Sequence, residues 1–197
     1  MRNIRCAVVL GIGFTLAAGA AFSQSRGAPA HGADKAAPCA SCHGSSPQRP
    51  PLPGMPALAG QQAEFLVMQM FLMREGLREV PQMAGLLKEY SDRDFGDVAA
   101  YFAGQAPLPV SGKRDPQIYA RGEGLARALA CGSCHLKDFR GQRHIPRITN
   151  QHEDYLAATL RAYRDDKRAG ADTSMNAAMY QVSDSDIRAL AHYLAQQ

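Results

Sequence analysis

Cys39-Ala40-Ser41-Cys42-His43 recurs 92 positions later as Cys131-Gly132-Ser133-Cys134-His135, and further matched positions follow each copy. The offset that carries His43 onto His135 also pairs Met83 with Met175, Ser91 with Ser183, Asp92 with Asp184, Asp94 with Asp186 and Tyr101 with Tyr193, so the His-to-Met interval is 40 residues in both copies. Between motif and methionine, Pro56-Ala57-Leu58-Ala59-Gly60-Gln61 answers Pro146-Arg147-Ile148-Thr149-Asn150-Gln151 at an offset of 90. The second copy is therefore two residues shorter before this block and two longer after it. Loops absorb such changes, whereas a helix would lose the facing of its side chains.

The motif has a mechanical reason. Two thiols separated by two residues bond the two vinyl groups of one haem, and the adjacent histidine then falls beneath the iron as proximal ligand; Cys-x-x-Cys-His is the attachment signature of c-type haem. Two covalently bound haem c groups are expected, one on Cys39 and Cys42 with His43 on its iron, the other on Cys131 and Cys134 with His135. A zinc ribbon also pairs Cys-x-x-Cys units, but roughly 15–20 residues apart, and Cys42 to Cys131 is far longer. A thioredoxin-type pair needs one such motif in a strand-helix-strand setting, which the pattern lacks. A disulfide framework does not account for two identical clusters.

A thioether is a neutral, soft ligand that favours ferrous iron, and His/Met ligation raises the reduction potential as an electron carrier requires. Met83 and Met175 are thus the expected distal ligands. Met55 and Met179 compete for the role, Met179 only four residues past Met175; the equal intervals favour Met175. Met68, Met70 and Met73 share one helix and read as core packing. His31, His144, His152 and His192 read as surface or packing residues. With both irons ligated by methionine the chain transforms no substrate; an iron lacking its methionine would instead suit a small haem peroxidase.

The coarse reading is helical. Gln61 to about Gly76 and Gln151 to about Arg168 form middle helices, and Ile118 to Ala130 opens the second half. Ser91-Asp92-Arg93-Asp94 and Ser183-Asp184-Ser185-Asp186 are capping boxes, followed at helical spacing by Phe95, Val98 and Phe102, and by Ile187, Leu190 and Leu194. No alternating run calls for a strand.

Met1 to Arg5 carries two arginines and precedes an apolar run from Cys6 to Phe22 rich in Ala and Gly. Residues 1–23 read as a secretory signal peptide, cleaved after Ala20 or, preferably, Ser23. The run falls short of the roughly 20 residues that span a bilayer, and no later segment is apolar enough, so association with a membrane is peripheral at most. Export invites disulfides, but Cys6 sits in the signal segment without a lipid-attachment pattern and the other four cysteines fill the two motifs. Removing Arg2 and Arg5 lowers the formal charge of +4 to about +2, too weak and diffuse for a nucleic-acid protein. The charge divides near residue 107 into about −1 and +3. Lys137, Arg140, Arg143 and Arg147 follow the second motif, where they steer an acidic partner, neutralise haem propionates or form an ordinary solvated face.

These features together resemble the cytochrome c4 family, in which two class I cytochrome c domains are joined in tandem. The resemblance covers essentially the whole mature sequence. It is carried by both Cys-x-x-Cys-His motifs, Pro56-Ala57-Leu58-Ala59-Gly60-Gln61, Gln82-Met83-Ala84, and the two Ser-Asp-x-Asp helices ending in Ala100-Tyr101-Phe102 and His192-Tyr193-Leu194. The fold expected is all-α, two tandem class I cytochrome c domains related by internal duplication, at residues 24–105 and 118–197 with a linker at 106–117. The resemblance implies periplasmic electron transfer, with haems facing each other near the domain interface. The donor would be a quinol-oxidising complex or a dehydrogenase, and the acceptor a membrane terminal oxidase. It also implies that the backbone carbonyls of Pro56 and Pro146 accept hydrogen bonds from His43 and His135, which orient the rings. The alternative role is the dihaem subunit of a periplasmic dehydrogenase, such as a flavocytochrome or an alcohol- or sugar-oxidising complex. Two departures stand out: Leu136 follows the second motif where the family commonly has Gly, and Pro38 directly before Cys39 makes the first opening helix look shortened.

Overall fold

Ser91 and Ser183 begin the last helix of each half by the same chemistry. Each hydroxyl accepts the backbone N–H three residues on, Asp94 at 3.2 Å and Asp186 at 3.1 Å, satisfying a donor that the first helical turn leaves free. In the computed structural model, which describes residues 29–46, 48–168 and 173–197, every regular element is a helix. The expected signal peptide lies outside the described residues. In chain order the helices are α1 (Pro29–His43), α2 (Ala63–Arg74), α3 (Pro81–Leu87), α4 (Asp92–Ala103), α5 (Pro116–Ala128), α6 (Gly132–His135), α7 (Glu153–Arg164), α8 (Ser174–Met179) and α9 (Asp184–Ala195). The only bridges among the described residues are the isolated pairs Ser45 with Gln48 and Gln142 with Ile145.

The helices pack as two copies of one arrangement. The opening helix lies on the terminal one, α1 on α4 and α5 on α9, and the middle helices α2 and α7 lie on the same partners. Phe95, Val98 and Phe102 of α4 are buried with Leu66, Met70 and Met73 of α2. Ile187, Leu190 and Leu194 of α9 are buried with Leu156 and Leu160 of α7. Arginines tie middle to terminal helix identically: Arg74 donates to the Tyr90 carbonyl and to Asp92, Arg164 to the Val182 carbonyl and to Asp184. The irregular run from residue 106 to 115 buries Leu108 against Ala57 and Ala59 of the first half, while Ser111, Arg114 and Asp115 bond to Gln196 and His192 at the end of the second.

Gly32 on α1 and Gly122 on α5 let the opening helices meet their partners. A Cβ at Gly32 would collide with the Asp97 carbonyl oxygen and Tyr101; one at Gly122 would collide with the Ala189 carbonyl oxygen and Tyr193. Asp97 and Ala189, like Tyr101 and Tyr193, are duplicates at the 92-residue offset. The same backbone-to-backbone crossing is thus built twice.

The opening helices correct two expectations. Helix α1 is not shortened: it runs 15 residues, straight through Pro38. Proline's fixed φ is helical, so the cost is one missing N–H and local crowding, set against packing on α4. Helix α5 starts at Pro116 behind Asp115, whose carboxylate accepts the Gln117 and Ile118 N–H groups, and it stops at Ala128 rather than Ala130. Ala130 has φ of 51°, and α6 restarts beyond it. Gly122 to Cys131 is two residues longer than Gly32 to Cys39, and this break takes up the difference. The middle helices begin two residues later than expected, because Gln62 and His152 have extended backbones.

Gly32→Ala and Gly122→Ala are each expected to destabilise their own domain by about 1–3 kcal/mol, the usual range for overpacking. Gly124→Ala, two residues on and on the other side of α5 with nothing near its Cβ, is expected to stabilise by roughly 0.5–1 kcal/mol. Denaturant unfolding of the three variants measures both signs. A second expectation concerns acid. Bonds from the Ser91 hydroxyl and backbone N–H, then Lys35 at 3.0 Å, hold the Asp94 carboxyl down from 3.8 to about 2. A depressed carboxylate contributes stability above its unfolded pKa and loses it as pH falls through the folded value. Asp94→Asn should therefore flatten the pH dependence of unfolding between pH 3.8 and about 2.

Candidate functional site

Helix α1 ends on the first motif and α6 carries the second, so each histidine sits at a helix end with its ring turned inward. His43 is 8% exposed and His135 5%. The Nδ1–H of His43 donates to the Pro56 carbonyl at 2.9 Å, and that of His135 to the Pro146 carbonyl at 2.9 Å. Burial pushes both imidazoles below their ordinary pKa, against the opposing effect of the proline carbonyl. A neutral ring with its proton fixed on Nδ1 leaves the Nε2 lone pair as the coordinating atom, the state a metal-ligating histidine requires.

The thiols are presented differently. Cys39 and Cys131 are half-buried against the two cores, and burial raises both thiols; Cys42 and Cys134 are exposed. None is in a disulfide. The hydroxyl of Ser41 donates to the Pro38 carbonyl at 2.8 Å and that of Ser133 to the Ala130 carbonyl at 2.7 Å, pinning the turn between each cysteine pair. Among the described residues no three His, Cys, Asp or Glu side chains converge as a metal chelate. Each motif is an open edge with two separated thiols and one inward imidazole nitrogen, which fits a planar group bonded through its periphery and ligated from below.

The departure at Leu136 resolves in the chain path. Gly44 and Gly141, at φ of 66° and 72°, each precede a bridged turn, and a Cβ on either would collide with the backbone of that turn. Gly141 therefore does the work of Gly44, and residues 136–140 are an insertion. Leu136 itself sits at φ 67° and ψ 163°, a conformation nearly confined to glycine.

The methionines fall on different surroundings. Met83 lies in α3 and Met175 in α8, each half-buried against the core of its own half. Met179 is 3% exposed inside the second core, and Met70 and Met73 are buried in the first. Met68 and Met55 are half-buried. Of the histidines, His31 and His144 are exposed. His192 is buried, accepting the Asp115 N–H at 3.0 Å on Nε2 and donating from Nδ1 to Glu153 at 3.0 Å. His152 has a buried Nε2 with no hydrogen-bond partner.

The two halves meet through the loops that hold Pro56 and Pro146, by a reciprocal exchange. The Gln151 side chain accepts the Ala57 N–H at 2.8 Å and donates to the Ala57 carbonyl at 3.0 Å. The Gln61 side chain accepts the Arg147 N–H at 2.7 Å and donates to the Arg147 carbonyl at 2.9 Å. Gln62 donates to the Arg140 and Gly141 carbonyls. Arg147 belongs to this interface: its guanidinium donates to the Gly60 carbonyl at 3.0 Å and to Thr149, so it is not available for steering. Arg140 lies 3.5 Å from Asp138, while Lys137 and Arg143 are exposed. Sequence reasoning missed the part played by Gln61 and Gln151; their only signal was their place in the matched block.

Two attachment motifs, each backed by a carbonyl-pinned imidazole on one of two duplicated helical units, define a dihaem c-type cytochrome. The family profile described as cytochrome c matches residues 119–197. Cytochrome c4 of Pseudomonas aeruginosa is 36% identical, over 98% of this chain and 98% of its own length, and the chain belongs to the cytochrome c4 family. The crystal structure of reduced recombinant cytochrome c4 from Pseudomonas stutzeri superimposes with a TM-score of 0.79 at 32% identity, covering 86% of this chain and 98% of that one. A thiosulfate dehydrogenase electron acceptor of Thiomonas intermedia is 27% identical over 91% of this chain and 87% of its own length. The chain carries two covalently bound haem c groups and transfers electrons.

Replacing Cys131 and Cys134 by alanine should leave one haem per polypeptide instead of two, read by pyridine haemochrome absorbance and intact mass, with the first motif still loaded.

Proposed function

We propose that this protein is a periplasmic electron shuttle, exported by a cleaved signal peptide, that takes single electrons from a quinol-oxidising complex or a dehydrogenase and passes them toward a membrane terminal oxidase. The observation that carries this reading is the pairing, in both halves, of a buried neutral histidine with a half-buried methionine 40 residues on. His43 and Met83 are the proposed ligands of the first iron, and His135 and Met175 of the second. Met175 is preferred to Met179 because Met179 is already packed on all sides in the second core. When bound, such a haem supplies a one-electron ferrous/ferric couple. The chain's own residues hold each ring by its proline carbonyl and shield it from water. No helix among the described residues is long and apolar enough to cross a membrane.

The likeness to a thiosulfate dehydrogenase electron acceptor over most of its length supports a second reading, in which the donor is a catalytic subunit that co-purifies with the chain. The two readings share the same haem ligation and differ in the electron donor.

In the ferric protein the near-infrared band of Met-ligated haem should integrate to two haems. Met83→Ala and Met175→Ala should each remove half of it and lower one reduction potential. Met179→Ala should keep the band and destabilise the second domain by about 2–5 kcal/mol, as loss of a buried methionine side chain does. Loss of the band in Met179→Ala, with retention in Met175→Ala, would reverse the assignment.

A further inference from the structure

The bond that orients each proximal histidine and the bond that joins the two halves are made by one and the same peptide group. The carbonyl that His43 reaches belongs to the peptide linking Pro56 to Ala57, and the N–H of that peptide donates to Gln151 Oε1 at 2.8 Å. The counterpart chain runs from His135 to the Pro146 carbonyl, through the same peptide to the Arg147 N–H, and on to Gln61 Oε1 at 2.7 Å. Both glutamines are buried, at 7% exposure each. Each Oε1 also accepts the N–H of the next residue, Gln62 or His152, at 2.9 Å. With Nε2 spent on the Ala57 or Arg147 carbonyl, each amide has one orientation that satisfies all its bonds.

A peptide whose N–H is engaged by a strong acceptor carries more negative charge on its carbonyl oxygen, because the two bonds polarise one amide cooperatively, the more so in a low-dielectric interior. A stronger carbonyl acceptor draws harder on Nδ1–H and makes the imidazole a better donor at Nε2. Resting on the proposed assignment of His43 and His135 as proximal ligands, the geometry points to Gln151 and Gln61 as positioning residues that act across the domain interface: Gln151 sets the potential of the first haem, and Gln61 that of the second. A more basic histidine favours ferric iron, so each glutamine lowers the potential of the haem held by the other domain.

The test uses the dihaem holoprotein and follows each haem by its own NMR-resolved methyl signals during a redox titration. Gln151→Met should raise the potential of the first haem and leave the second in place, and Gln61→Met should do the reverse. In the ferrous state the Nδ1–H resonance of His43 should move upfield in Gln151→Met, and that of His135 in Gln61→Met. Gln62→Ala removes interface bonds that do not touch either peptide and should move neither potential. Equal movement of both potentials in each glutamine variant, or a comparable shift in Gln62→Ala, would mean that the interface merely loosens and would overturn the inference. Unchanged potentials with the near-infrared methionine band intact would overturn it as well, leaving the ligand assignment standing. Absence of that band in the unsubstituted protein would overturn the methionine assignment alone, because the inference rests on the two histidines and is decided by the two potentials.

Discussion

The hydrogen bond from a buried histidine to the carbonyl of a proline 11 or 13 residues away is the contact on which the rest of this structure turns. It cannot form unless the motif is held at a helix end and the chain returns past it, which demands the turn after Gly44 or Gly141. Burial keeps the ring neutral and the carbonyl fixes its proton on Nδ1, so charge and tautomer are settled together. Proline suits the acceptor position because it brings a carbonyl without an N–H of its own that would need a partner. The amide that follows then has its N–H directed away from the histidine, toward the other half of the molecule. Orientation of the ring and docking of the domains are in this way two ends of one group.

Duplication explains why the docking is symmetric without the halves being identical. The helix pairs that build each half keep equivalent contacts, at an offset of 90 for Gly32 and Gly122 on the opening helices and Arg74 and Arg164 on the middle ones, and of 92 for Asp97 and Ala189 on the terminal ones. Length differences collect where no helix face depends on them. Two extra residues sit at the break after Leu129, five follow His135, and the loop from Gly141 to Pro146 is shorter than that from Gly44 to Pro56. The exchange between Gln61 and Gln151 lies in the loop block whose offset is 90 throughout, so it is isologous, residue i meeting j as j meets i. Arg78 and Arg168 obey the same 90-residue relation, and both act electrostatically on Tyr155: burial raises the phenol, but the two guanidinium groups outweigh it and bring it down to about 8.

Much of this was legible in the sequence, and the illegible part has physical causes. The motifs, the His-to-Met intervals and the Ser-x-x-Asp caps are local patterns whose chemistry does not depend on distant residues. Gly32 and Gly122 are not: a glycine inside a helix reads as a cost of propensity, and only the crossing helix reveals that a Cβ would strike backbone. Pro38 misled in the opposite sense, because proline's usual effect on a helix interior was overridden by packing of α1 on α4. Leu136 looked like a lost glycine because register was carried past the motif without allowing for an insertion. Gln61 and Gln151 stood in the matched block, yet a buried amide pairing with a backbone across the interface leaves no periodicity to detect.

The size of the halves bears on the role of the prosthetic groups. Each core draws buried apolar residues from four helices, and units of this length bury too small a fraction of their surface to be comfortably stable alone. The contacts that need no haem are those between opening, middle and terminal helices, and they bring Cys39 and Cys42, or Cys131 and Cys134, to a helix end beside the pinned histidine. The elements carrying Met83 and Met175 are different in kind: α3 has seven residues and α8 six, each packed chiefly on the middle helix of its own half. Helices of that length do not persist on propensity. Their placement therefore depends on the packing of Leu87 and Met179 into the two cores, while each motif histidine is pinned directly by its proline carbonyl.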